Sequence, residues 1–216
     1  MNDRLKLIAG IFVFGSLWGV SEALIAPGIK NAGLPDGAIM TGIFAMFFLA
    51  MSRILYQQKG MQLGMGLVAG SLRALGPLGG CQICSAIAIM AEGFVFELIW
   101  NYVSSIDLRN IRNLTLTISL GIFTAYSVFV VGYMVTQITT PLLYAGFYLE
   151  NFISMLPQYL ARGLPAALIG GVTIPFVLSL SKLDLSIKDK LYYPITVSVS
   201  AICWILVISV VFFTGA

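Results

Sequence analysis

Seven long apolar runs divide this sequence, and they decide what the chain can fold into. Short segments rich in Gly, Pro, Asn and Gln separate the runs, which are Leu7–Ala26, Gly37–Ser52, Met61–Leu75, Cys81–Trp100, Leu114–Thr136, Ser154–Leu180 and Tyr193–Phe213. A helix needs about 20 apolar residues to cross a bilayer. Of the 216 residues, 59% are hydrophobic and 10% are charged, which is outside the range of ordinary water-soluble domains. The sequence therefore predicts an all-α integral membrane protein.

The length leaves room for these helices and short loops only, so residues 1–216 are expected to form one transmembrane domain. We expect a bundle of six core helices and a seventh, C-terminal helix at 193–213. The third run is short for a full crossing. Residues 136–162 are interrupted by Pro141, Glu150 and Pro157, and they fit an outer loop, an interfacial helix or a broken helix. The first run carries Glu22 and lacks a small-residue cleavage site, which favours a retained helix over a signal peptide.

The basic residues predict the orientation, because lysine and arginine collect in cytoplasmic loops. With a cytoplasmic N-terminus, nine of the twelve basic residues fall on the cytoplasmic side: Arg4, Lys6, Arg53, Lys59, Arg109, Arg112, Lys182, Lys188 and Lys190. Lys30, Arg73 and Arg162 then face outward. The expected location is the cytoplasmic membrane, and the net charge of +3 reflects topology and gives no basic stripe for nucleic acid.

Ionisable side chains inside the apolar runs are the main functional signal, because each costs roughly 2.5–3.5 kcal/mol to insert. Glu22, Arg73 and Arg162 fall near outer helix ends, and Glu92 lies about 16 Å along the fourth helix from its outer end. Two interpretations stand. Glu22 forms a structural ion pair with Arg73 or Arg162, or the group lines an outward pocket for a small polar ligand. For Glu97, nearer the cytoplasmic boundary, we predict a structural role.

A Cys-x-x-Cys sequence, Cys81 to Cys84, lies at the predicted outer start of the fourth helix. Such a pair can form a disulfide, act as a redox couple, or supply two thiolates to a soft metal. It can also serve as structural or pocket-lining residues. The chain has no histidine, so the remaining ligands of a zinc site would have to be carboxylates or methionines. No metal site is predicted, and Cys203 is expected to act as a small apolar residue.

Gly15, Gly19 and Ala23 recur every four residues on the first helix and form a flat strip that another helix can approach closely. The strip either packs inside the protein or receives a partner. The chain has no phosphate-binding loop and no histidine for a Ser/His/Asp or Cys/His arrangement. We therefore expect no enzymatic activity and no cofactor.

Several segments together resemble a transporter subunit. The run from Phe14 to Ala23, the Pro-Asp-Gly loop, the glycine-rich third helix and the run from Leu164 to Gly171 resemble the substrate-binding S component of an energy-coupling factor (ECF) vitamin transporter. The resemblance covers about residues 5–181. It implies capture of a small organic micronutrient from outside and delivery with a transmembrane coupling protein and two ATPase subunits.

The resemblance also implies roles for particular residues. The ligand pocket would involve Glu22, Arg73, Cys84, Glu92 and Arg162, and the coupling protein would dock on Gly15, Gly19 and Ala23. A pocket with both arginine and glutamate suits a zwitterionic or mixed organic molecule, and the lack of histidine argues against nickel or cobalt. Aromatic residues available for stacking are Trp18, Tyr126, Tyr144 and Tyr148.

The alternative function is a membrane thiol–disulfide oxidoreductase that uses Cys81 and Cys84 with a quinone or an extracellular partner. The sequence contains no second cysteine pair that could relay electrons.

Overall fold

The computed structural model describes residues 3–76, 81–103, 113–144, 149–180 and 189–214, and nearly all of these are helical. The helices are α1 Asp3–Leu24, α2 Ala26–Asn31, α3 Asp36–Ile39, α4 Met46–Tyr56, α5 Met61–Leu75, α6 Gln82–Leu98, α7 Leu114–Tyr144, α8 Leu149–Leu180 and α9 Asp189–Thr214. A π-helical segment, Met40–Ala45, joins α3 to α4, and a second, Ile99–Val103, extends α6. The described ranges contain no strand, so the predicted all-α fold is confirmed.

The helices have the lengths of a multi-pass membrane protein. Six helical stretches are long and apolar enough to cross a membrane: Arg4–Asn31, Asp36–Tyr56, Gln82–Tyr102, Leu114–Leu143, Phe152–Leu180 and Leu191–Phe213. The predicted third crossing coincides with α5, whose 15 residues extend about 22 Å. That helix packs against α1 and α6. The bundle and its C-terminal helix are therefore confirmed, with α5 as its short member.

Residues 136–144 and 149–162 are helical, so the described part of this region is not a loop. Helix α7 continues to Tyr144 and α8 begins at Leu149, so most of this region prolongs two long helices. Pro141 and Pro157 lie inside helices and do not end them. Helices in a membrane bundle tolerate proline because neighbouring helices and hydroxyl side chains satisfy the freed backbone groups. Residues 145–148, between the two helices, lie outside the described residues.

The two ends of the bundle carry different sets of ionisable residues. At one end, the Tyr56 hydroxyl hydrogen bonds to that of Tyr192 at 2.6 Å, and Tyr192 donates to the carbonyl of Lys6 at 3.1 Å. This contact brings together the start of α1, the end of α4 and the start of α9, and places Lys6 and Arg53 at the same end. The far ends of α1 and α5 carry Glu22 and Arg73. Four residues in the predicted cytoplasmic set lie outside the described residues: Arg109, Arg112, Lys182 and Lys188.

The small-residue strip on α1 packs inside the protein, which corrects its assignment as a docking surface. Gly15, Gly19 and Ala23 are all buried. A Cβ added at Gly15 would lie 2.7 Å from Cβ of Val68, and one added at Gly19 would lie 2.8 Å from Cβ of Leu72. Because α5 already occupies this strip, no partner helix can reach it.

The π-helical segment between α3 and α4 fits closely against α8. A Cβ added at Gly42 would lie 2.8 Å from Cβ of Ile169, so only glycine allows this approach. Thr173 donates a 2.8 Å hydrogen bond to the carbonyl of Gly42. A π-helical turn carries one extra residue and changes the direction of the side chains around it, and such turns often occur at functional sites. The segment contributes Met40 and Thr41 to the cavity described next.

A buried chamber with three carboxylates and one arginine

A cavity of about 120 Å³, called the chamber below, lies among α1, α3, the π-helical segment, α5, α6 and α7. Its polar and charged lining residues are Glu22, Asp36, Thr41, Arg73, Ser85, Glu92, Tyr133 and Thr136. A second cavity of about 210 Å³, the vestibule, shares Asp36, Arg73, Ser85 and Thr136 with the chamber. The vestibule adds Lys30, Cys81 and Thr140. The two cavities are therefore neighbouring parts of one site.

The helix positions give this site a direction. Along α6, Cys81 and Ser85 line the vestibule, whereas Ser85, Ala88, Ile89 and Glu92 line the chamber. These positions follow one face of the helix, and Cys81 to Glu92 corresponds to about 16 Å. On α7 the order is the reverse, with Thr140 in the vestibule and Phe129 in the chamber. Glu92 therefore marks the closed end and Lys30 the vestibule end.

Glu92 is 7% exposed, and only one of its carboxylate oxygens has a described partner. The Thr41 hydroxyl donates to Oε1 at 2.8 Å, and Oε2 has no hydrogen-bond partner among the described residues. A Cβ added at Gly132 would lie 2.8 Å from Cγ of Glu92, so this glycine makes room for the carboxylate. A buried carboxylate with an unused acceptor is costly unless a donor or a proton reaches it.

Glu22 lines the chamber and is 8% exposed. Trp18, one turn earlier on α1, donates its indole N–H to Oε1 of Glu22 at 3.2 Å. The Trp18 side chain is fully buried and lines neither cavity. Trp18 thus orients the carboxylate and leaves no face for a stacked ligand.

Arg73 is the one arginine among the described lining residues, and it is 7% exposed. It lines both cavities and interacts electrostatically with Glu22 and Asp36. Asp36, at the start of α3, was not identified as a site residue from the sequence. The described lining of the chamber therefore contains three carboxylates and one guanidinium group.

Arg162 lies just outside the chamber. Its side chain is exposed, sits over the Tyr133 ring at 5.5 Å and donates to the Tyr133 hydroxyl. Tyr133 in turn stacks on Phe129, with ring centroids 5.6 Å apart. Arg162 therefore acts on the chamber wall through Tyr133 and does not line the site itself.

The predicted pocket residue Cys84 lies beside the site without lining it. Cys81 and Cys84 form a disulfide, and Cys84 is fully buried whereas Cys81 lines the vestibule. The Cys81 sulfur also accepts the backbone N–H of Cys84 at 3.1 Å and caps the start of α6. Cys81 precedes the helix and contacts the cavity, whereas Cys84 lies in the first turn of α6 and is buried. The described residues contain no group of ligands arranged for a metal ion.

Glu97 has a structural role at the opposite end of the bundle. It accepts the backbone N–H of Leu63 at 2.8 Å and that of Gly60, and so caps the start of α5. Asn101 adds a third donor at 3.3 Å. Such capping satisfies backbone N–H groups that have no partner within the helix.

Among the aromatic candidates, Tyr126 donates to the carbonyl of Leu160 at 3.2 Å and belongs to the contact between α7 and α8. The side chain of Tyr144 and all of Tyr148 lie outside the described residues. Tyr133, Thr41 and Gly132 were not predicted from the sequence. The one available signal was Gly132, a glycine in the middle of an apolar helix.

Comparison with protein families, with curated protein sequences and with solved structures found no match to this chain.

Proposed function

We propose that this protein is the membrane-embedded substrate-binding subunit of an ECF-type importer, which captures a small organic micronutrient at the outer face of the cytoplasmic membrane. The observation that carries the proposal is the chamber. It is small, lined by several helices and rich in buried charge, and Glu92 retains an acceptor that no described residue uses. Ionisable groups inside a membrane bundle commonly mark a substrate site.

The distribution of charge supports an outward-facing site. Lys6, Arg53 and Lys59 lie at the end of the bundle opposite the vestibule, and basic residues favour the cytoplasmic side. With the N-terminus inside, the vestibule opens outward and Glu92 lies deeper in the membrane. A solute would then enter past Lys30 and reach the chamber beyond Arg73.

The proposed importer needs an external energy source, because the sequence has no phosphate-binding loop of its own. A transmembrane coupling protein and two ATPase subunits would supply it. The coupling protein must contact a surface other than the strip of Gly15, Gly19 and Ala23, because α5 covers that strip.

Affinity purification from native membranes in a mild detergent tests this function. We expect a C-terminally tagged chain to co-purify with a transmembrane protein and with ATPases that carry phosphate-binding loops. Solute uptake by the host should depend on both. Purification without any ATPase, together with normal uptake after deletion of the chain, contradicts the proposal.

One observation favours the second candidate, a membrane thiol–disulfide oxidoreductase. Cys81 lines the vestibule and is bonded to Cys84, so a partner thiolate could approach the Cys81 sulfur. This candidate predicts that Cys84→Ser abolishes activity in the host and traps a mixed disulfide through Cys81. The importer proposal predicts that solute uptake survives the same substitution.

A further inference from the structure

The chamber and the vestibule carry opposite excess charge at their two ends. Lys30 and Arg73 are the basic lining residues, and Lys30 is confined to the vestibule. Glu22 and Glu92 belong to the chamber alone. Carboxyl groups therefore predominate toward Glu92, and basic groups predominate toward the vestibule. A solute that enters along this axis meets positive charge first and negative charge last.

We propose that the chamber binds a compact dipolar molecule with its ammonium or amidinium group inward, between Glu92 and Glu22, and its anionic end toward Arg73. The inference rests on the proposed function, because it names the class of solute that this site would capture. It goes further by giving the ligand an orientation and by assigning selectivity to Glu92.

Glu92 is the lining carboxylate that has room for a further hydrogen-bond donor. Its Oε1 atom already accepts the Thr41 hydroxyl at 2.8 Å, whereas Oε2 has no described hydrogen-bond partner. Glu22, a group of the same sign, acts on Glu92 electrostatically. A ligand N–H group with positive charge relieves both the unused acceptor and the repulsion between the two carboxylates.

Arg73 is the proposed contact for the anionic end of the ligand. Its described electrostatic partners are Glu22 and Asp36, and it lines the region where the chamber joins the vestibule. Ser85 lines the same region and precedes Glu92 by seven residues on α6, which corresponds to about 10 Å. Arg73 is therefore placed to meet the outer end of a ligand whose inner end contacts Glu92.

Apolar side chains also line the chamber. Met40, Ala88, Ile89 and Phe129 line the chamber beside the charged groups. With a volume of about 120 Å³, the chamber suits a short aliphatic chain better than a large ring system. The expected ligand class is therefore a small aliphatic amine with an acidic or strongly accepting group at the other end.

Three five-carbon probes of matched length test the orientation: δ-aminovalerate, cadaverine and glutarate. Each is titrated into the full-length purified protein in nanodiscs, and affinity is measured by calorimetry. We expect δ-aminovalerate to bind most tightly, cadaverine more weakly and glutarate not at all. Equal affinities, tighter binding of glutarate, or binding of none of the three overturns the proposal.

Substitution of Glu92 separates its charge from its packing. We expect Glu92→Gln to weaken δ-aminovalerate binding by about ten- to a hundredfold, as for the loss of a charged hydrogen bond. Glu92→Asp should retain the preference for amine over diacid. Lys59→Gln, at the other end of the bundle, should leave all affinities unchanged. An unchanged affinity in Glu92→Gln, with unfolding temperature equal to that of the native chain, contradicts the role of Glu92.

These titrations contain no coupling protein or ATPase. They can therefore contradict the proposed ligand orientation without contradicting the importer proposal. Likewise, a failed co-purification with ATPases would contradict the importer proposal without contradicting the ligand orientation.

Discussion

The Thr41 hydroxyl donates a 2.8 Å hydrogen bond to Oε1 of Glu92, across 51 positions of sequence. Thr41 comes from the π-helical segment Met40–Ala45, and Glu92 comes from the middle of α6. The bond links the irregular helix to the closed end of the chamber. It fixes one oxygen of the carboxylate and leaves the other, Oε2, for a further donor.

Thr41→Val removes this hydrogen bond while nearly preserving side-chain volume. Because Thr41 is 2% exposed, the lost bond leaves Glu92 less satisfied in a dry environment. We expect the free energy of unfolding to fall by about 1–3 kcal/mol. Thr41→Ser, which keeps the hydroxyl, should lose less. Thermal unfolding in detergent measures both, and equal stability of the two variants argues against the bond.

Gly19→Leu should prevent folding, because its side chain would collide with the backbone of α5. A Cβ at this position already lies 2.9 Å from Cα of Ala69. Overpacking typically costs about 1–3 kcal/mol, and a backbone collision costs more. Gly28→Leu is the matched control, since a Cβ there has no atom within 4 Å. Size-exclusion profiles and yields compare the two.

A surface role for the strip would give the opposite result. Well-folded Gly19→Leu protein, with a selective loss of partner binding, would restore the docking assignment that the buried strip contradicts.

Glu97→Ala should destabilise the start of α5 without changing the chamber. Glu97 accepts backbone N–H groups from Gly60 and Leu63, and loss of such a cap costs about 0.5–2 kcal/mol. Glu97→Gln keeps one acceptor oxygen and should have a smaller effect. Hydrogen exchange of the first turn of α5 reports the change. Loss of δ-aminovalerate binding at unchanged stability would show that Glu97 has a role other than capping.

The Cys81–Cys84 disulfide should contribute modestly to stability. Only two residues separate the cysteines, so the disulfide restricts the unfolded chain to a small extent. The resulting stabilisation of the folded protein is about 2 kcal/mol. In Cys81→Ser/Cys84→Ser, the hydroxyl at position 81 can still cap α6. We expect a lower unfolding temperature with δ-aminovalerate binding retained. Complete loss of binding would show that the disulfide shapes the site directly.

Helical membrane architecture could be predicted from the sequence because an apolar run of sufficient length has few other folds available. Met61–Leu75 was identified with the observed bounds of α5. The extensions of α7 and α8 were not predicted, because Pro141 and Pro157 suggest that a helix is interrupted. Only the neighbouring helices, which are unknown from the sequence, allow these prolines to lie inside helices. The ends of these two helices therefore depend on tertiary packing, which the sequence pattern does not show.

The site could be predicted in part for a similar reason. Glu22, Arg73 and Glu92 carry charge in apolar runs, which any reading of the sequence detects, and the chamber brings them together. The ladder of Gly15 and Gly19 predicts a close helix contact but does not identify the partner helix. Thr41 lies in the π-helical segment, where side-chain directions differ from those of a regular α-helix. Its place in the site therefore could not be predicted from helical periodicity. Arg162 was expected in the pocket, but its side chain lies over the Tyr133 ring and does not line the chamber.

Native mass spectrometry of the protein purified from its own host shows directly whether the chamber holds a solute. We expect a co-purified small molecule bearing an amine, retained by the native chain and lost from a folded Glu92→Gln variant. An empty native chain, or equal retention by both proteins, would contradict the assignment of the chamber as the solute site.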